Sequence, residues 1–182
     1  MNIRPILAAV AIFVSASGIA QITTAQYTTP DGKQLRSLVY NPGDEGSKQY
    51  RIPALVVAKD GSLLAIADKR WDNINDLPNR IDVVARRSTD NGATWSNHIL
   101  IAANDSIGGY GDPAVVVDRK SGDILVISTH GNGLWQATPG HISVSRSTDN
   151  GLTWQPAVDI NPQILTTDSI GKQPIKCCSA FA

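Results

Sequence analysis

The chain has 182 residues, 42% of them hydrophobic, and 16 Lys and Arg against 16 Asp and Glu, for a formal net charge of zero. Such balance offers no bulk attraction for nucleic acid or an anionic membrane surface, so neither is expected as a partner. Cys177 and Cys178 are the only cysteines and are neighbours, a spacing that would strain a disulfide and implies no disulfide framework.

Met1–Arg4 carries one positive charge, Ile6–Val14 is apolar, and small residues follow through Ala20. This reads as a secretory signal peptide over residues 1–25, cleaved after Ala20 or Ala25 and too short for a membrane span. The mature chain is expected to be exported, either periplasmic or secreted. Residues 26–49 form a lead-in. About 160 residues remain after the leader, enough for one ordinary domain.

Two apolar, β-rich runs follow, Ile52–Ala58 and Leu63–Ala67, joined by Lys59-Asp60-Gly61-Ser62. Asp-Gly between such runs signals a hairpin. Arg80–Arg87 and His98–Ala102 supply two more strands, separated by the octamer S-T-D-N-G-A-T-W at Ser88–Trp95. A second set repeats the order: Ala114–Val117, Ile124–Ser128, His141–Arg146 and Ala157–Ile160, with S-T-D-N-G-L-T-W at Ser147–Trp154. The octamers match at seven of eight positions, 59 residues apart, and Pro53, Pro113 and Pro174 recur at intervals of 60 and 61. Beyond the N-terminus no window holds apolar residues at helical spacing. Four strands per repeat is the pattern of a propeller blade. The chain therefore reads as all-β, with one blade over 50–110, a second over 111–170, and the start of a third over 171–182 that includes the two cysteines. Two blades and a strand cannot close a ring, so an N-terminal portion of something longer is expected.

Each octamer has the chemistry of a structural turn. Asp90 and Asp149 offer acceptors to turn amides, Gly92 and Gly151 tolerate positive φ, and Trp95 and Trp154 cover the hairpin. One acidic residue per loop is too few for calcium, and no metal or cofactor is expected.

Charge gathers elsewhere. Arg51 precedes the first strand of one repeat and Asp112 the first strand of the next; both should project at one mouth of a propeller. Arg70 ends the antiparallel second strand, so it returns to that mouth, where the loop Trp71–Asn79 opens. Two converging arginines suit a planar carboxylate. The competing reading is an internal ion-pair network with Asp72, Asp76 or Asp82.

Tyr50-Arg51-Ile52-Pro53, the two boxes, and D-K-R-W-D-N-I-N-D-L-P-N-R-I-D at Asp68–Asp82 resemble an exo-α-sialidase of bacterial type. The resemblance runs from about Tyr40 to the end. It implies a six-bladed β-propeller, here about two blades and the start of a third, that releases terminal sialic acid from sialylated glycoconjugates with retention. It implies that Arg51 binds the substrate carboxylate, that Arg70 and Asp112 meet the C4 region, and that Asp76 is the acid/base. Trp135 resembles an aromatic beside the N-acetyl pocket. Asp72 and Asp82 are rivals for the role of Asp76. The remaining arginines and the tyrosine nucleophile of the family would lie beyond residue 182, so the isolated chain is expected to be inactive. Two other readings share the repeats: a non-catalytic carbohydrate-binding propeller, and a purely structural repeat domain.

Overall fold

The computed structural model describes residues 11–12, 23–28, 34–103, 108–131 and 140–164. Three short strands, β1 (Ala11–Ile12), β2 (Thr23–Thr28) and β3 (Gln34–Tyr40), pair antiparallel in that order. Two four-stranded antiparallel meanders follow. The first unit is β4 (Gln49–Val57), β5 (Leu63–Arg70), β6 (Ile81–Ser88) and β7 (Ile99–Ala102); the second is β8 (Tyr110–Val117), β9 (Ile124–His130), β10 (His141–Ser147) and β11 (Val158–Asp159). Two short helical turns, a 3-10 turn at Asp44–Gly46 and α1 (Asn161–Ile164), lie outside the all-strand expectation. Trp135, Pro174, Cys177 and Cys178 lie outside the described residues. No helix among the described residues is long and apolar enough to cross a membrane.

The eight expected strands of the two units are all present, and β4 and β8 begin earlier than periodicity indicated. Each resumes pairing on both sides of a proline because a bulge intervenes. The register shifts between Arg51 and Ala54 in one and between Gly111 and Ala114 in the other. The residue before each proline is in the left-handed region, Ile52 at φ 51° and Asp112 at φ 54°. Proline restricts its predecessor and cannot donate to a ladder, so the bulge absorbs it. This corrects the expected correspondence of the repeats: the counterpart of Asp112 is Ile52, and that of Arg51 is Gly111.

Alternation along β5 decides what each face does. Leu64, Ile66, Asp68 and Arg70 point one way; Ala65, Ala67 and Lys69 point the other. Ile66 joins Ala54, Val83, Ala85 and Ile101 in a core closed by Val126, Val115 and Trp154 of the second unit. Ala65 and Ala67 join Val84 and Tyr50 in a core closed by Val39 and Tyr40 of β3. The first unit is therefore sandwiched, with β3 on one face and the second unit on the other. The units approach closely at Gly109, whose absent Cβ would lie 2.3 Å from the Ile81 carbonyl oxygen. Only glycine fits there.

Candidate active site

The register of β5 and β6 separates the two ends of the first unit. Arg70 pairs with Ile81 at one end and Leu63 with Ser88 at the other. The octamer after Ser88 is thus at the opposite end from Arg51 and Arg70, as its turn chemistry implied. In both boxes the serine Oγ receives the glycine amide, at 2.8 Å from Gly92 and 2.9 Å from Gly151. The aspartate receives the threonine amide and hydroxyl, at 2.9 and 2.6 Å in each case. Hydrogen bonds from Thr94 and Ser88 bring the Asp90 carboxyl down to about 2. These residues close turns.

Beyond Ile66 the inward face of β5 turns from apolar to charged. Asp68 and Arg70 are each 1% exposed. Arg70 Nη2 donates to Asp68 Oδ2 at 3.0 Å, and Asp68 Oδ1 receives the Asp112 amide at 3.0 Å. Asp68 therefore links the buried guanidinium to the left-handed residue of β8. Burial pushes its carboxyl up, and Arg70 opposes that shift. Asp68 opens the motif Asp68–Asp82, and its spacing of two from Ile66 and from Arg70 is the signal of its role.

Arg51, Arg70 and Asp76 meet at the mouth. Asp76 Oδ1 lies 2.7 Å from Arg70 Nη2 and 3.2 Å from Arg51 Nη1. Both arginines also donate to the Ile74 carbonyl, at 2.6 Å from Arg70 and 3.3 Å from Arg51. The two partners of Arg70 differ in environment. Breaking a buried pair costs about 3–5 kcal/mol, whereas an exposed pair contributes at most about 1 kcal/mol. Asp68 is the buried partner, and Asp76, with its side chain 66% exposed, is the replaceable one.

Asp112 is tied to the same cluster through its amide on Asp68, and Thr129 Oγ1 donates to its Oδ2 at 3.4 Å. Burial raises its carboxyl, with the Asp76 charge adding and Arg70 opposing. The loop carrying Asp76 is cross-braced: Asn73 Nδ2 donates to Asn79 Oδ1 at 2.9 Å, and Asn79 Nδ2 donates to the Asp76 carbonyl. Of the rivals to Asp76, Asp82 receives Trp71 Nε1 at 2.7 Å, and Asp72 is exposed on the loop. Trp71 is enclosed by cations, with Lys69 Nζ 3.8 Å and the Arg80 guanidinium 4.2 Å from its ring centroid. Arg51, Arg70, Asp76 and Asp112 are thus brought together. Asp82 serves the opposite face of the sheet.

A BNR repeat-like domain matches residues 52–175. The chain is 35% identical over 146 residues to a sialidase of Bacteroides fragilis (strain YCH46), covering 69% of this chain and 27% of that protein. It is 37% identical over 169 residues to a sialidase of Micromonospora viridifaciens, covering 84% of this chain and 26% of the relative. Among solved structures, Hadza microbial sialidase Hz136 superposes with a TM-score of 0.64 at 30% identity, covering 81% of this chain and 35% of that one. Trypanosoma rangeli sialidase, at 18% identity and a TM-score of 0.51, shares the fold. The chain spans 26–27% of the length of the two curated relatives. A family match over more than half the chain and two sialidases above 30% identity agree: the chain belongs to the bacterial sialidase family.

Proposed function

We propose that the mouth of the two units is part of the site of an exo-α-sialidase that releases terminal sialic acid from sialylated glycoconjugates. Each unit is then one blade of a six-bladed propeller. The observation that carries this is Asp76 bridging two guanidiniums: a carboxylate already occupies the position that a substrate carboxylate would take. Arg51, at the rim and 33% exposed, contributes a charged fork to that anion. Arg70 is locked by Asp68, and its Nη2, shared between Asp68 and Asp76, lies beside that place, while its side chain serves the C4 region. Asp112 faces the C4 side of the sugar.

An arriving anion competes with Asp76 for the arginines. The exposed pairs it displaces are weak, so exchange is cheap and frees Asp76 on its braced loop. There Asp76 takes a proton from solvent water and passes it to the leaving oxygen, as general-acid catalysis requires. The family nucleophile is a tyrosine, whose neutral phenol avoids repulsion with the anionic substrate. Turnover needs this tyrosine and two further carboxylate-binding arginines, roles that no residue of this sequence is assigned, and it is not expected of residues 1–182 alone. Export, by the leader at residues 1–25, suits an enzyme acting on external glycans.

The test uses a catalytically competent polypeptide that contains residues 1–182. Asp76→Ala should slow natural sialosides at least about tenfold more than aryl sialosides with activated leaving groups, which need little protonation. Equal slowing of both would remove the acid/base assignment.

A further inference from the structure

The second unit carries a cluster that neither the mouth nor the boxes use. Tyr110, His130 and His141 lie directly across from one another on β8, β9 and β10. Their rings form a ladder, Tyr110 to His130 and His130 to His141 each at 4.9 Å between centroids. Asp159 on β11 stands opposite Ser143, diagonal to His141, with its Oδ2 2.6 Å from His141 Nδ1. One nitrogen or oxygen ligand atom from each of His130, His141 and Asp159 lies within 4.8 Å of the others.

We infer that His130, His141 and Asp159 form a binding site for a divalent transition-metal cation of the Zn2+ class, which clips the outer strands of the second unit together. Two imidazoles and one carboxylate are the donor set that such borderline cations take; calcium and magnesium prefer oxygen donors alone. Three protein ligands leave a fourth tetrahedral position open to water. The supporting shell is present. Ser143 Oγ lies 2.7 Å from His130 Nδ1, which orients that ring and leaves Nε2 for the cation, as outer-shell partners of metal-bound histidines do. Tyr110 stacks on the same ring from the inner side. Asp159 Oδ1 receives the Asn161 amide at 2.8 Å, so one carboxylate oxygen is held while the other faces His141.

Access and need both fit. His141 and Asp159 have side chains 47% and 37% exposed, so a cation can enter from solvent. β11 has only two residues, paired at Ser143–Asp159 and Val144–Val158. A bond through Asp159 to β9 and β10 ties down a strand with little ladder of its own.

The test is a Zn2+ titration of the chelator-stripped, untagged chain, followed by calorimetry and thermal unfolding. The background carries Cys177→Ser and Cys178→Ser, so that adjacent thiols cannot supply the site. One equivalent should bind and raise Tm, and Co2+ in its place should give the visible absorption of a four-coordinate nitrogen–oxygen site. His141→Gln and Asp159→Asn, both at exposed positions, should each weaken binding at least about tenfold. No binding by the parent chain, or unchanged affinity in both variants, would overturn the inference.

Discussion

At the scale of the residue, the site turns on two aspartates that meet the same guanidinium. Asp68 is buried with Arg70, and Asp76 reaches it from solvent. Removing the charge of Asp68 leaves the buried Arg70 with only the solvent-exposed Asp76 as counter-charge, so Asp68→Asn should lower unfolding stability by about 3–5 kcal/mol. Asp76→Asn removes exposed pairs and should change stability by no more than about 1 kcal/mol. Urea unfolding of the two variants measures both, and comparable losses would show that Arg70 is not anchored by Asp68. The left-handed residue at Asp112 belongs to the same economy of backbone. A non-glycine at φ 54° costs on the order of 1–3 kcal/mol, and the amide bond to Asp68 helps to hold it.

At the scale of the element, the twin octamers are the sharpest comparison in the molecule. Their internal hydrogen bonds are the same, and their glycines share a conformation, Gly92 at φ 84° and Gly151 at φ 81°. Their surroundings differ. A Cβ at Gly92 would meet Leu63 and Trp95 at 3.5 Å, ordinary contact, whereas one at Gly151 would lie 2.0 Å from Cδ2 of the buried Leu64. Gly92→Ala should therefore cost about 1–2 kcal/mol from the left-handed backbone alone. Gly151→Ala should cost distinctly more, because Leu64 must move within a packed interface. Thermal unfolding of both decides it, and equal shifts in Tm would mean that the interface yields. The tryptophans diverge likewise: Trp95 Nε1 donates to Ser37 at 2.9 Å, while Trp154 Nε1 is buried without a partner among the described residues.

At the scale of the whole molecule, stability rests on how the first unit is covered on both faces. On the β3 side His98 is packed against Tyr50, its Nε2 3.2 Å from the Tyr50 hydroxyl, with Glu45 2.8 Å from Nδ1. Burial foremost, then the Arg86 charge, pulls the imidazole down to about 4. The unfolded chain takes up this proton near pH 6.5, before the folded one does. Stability from this group is thus full above pH 6.5 and is lost as the pH falls towards 4. His98→Gln should flatten that part of the stability–pH curve. An unchanged acid slope would place the sensitivity in another group.

Much of this was legible in the residues. The 59-residue spacing and the alternating apolar runs gave all eight strands of the two units, because strand periodicity and Asp-Gly or Asn-Gly turns are local properties. The convergence of Arg51, Arg70, Asp76 and Asp112 also followed, since antiparallel strands return their ends to one side. The partners were not legible. Whether Asp76 or Asp68 anchors Arg70, whether Asp82 meets an arginine or Trp71, and which octamer glycine carries a packed neighbour all depend on contacts between residues far apart in the chain. Sequence by itself determined the repeat, the strands and the family, because these are written in short-range pattern. Only the tertiary structure decided the bulges before Pro53 and Pro113, the burial of Asp68 and the cluster of His130, His141 and Asp159, because burial and cross-strand register arise when one sheet is laid against another.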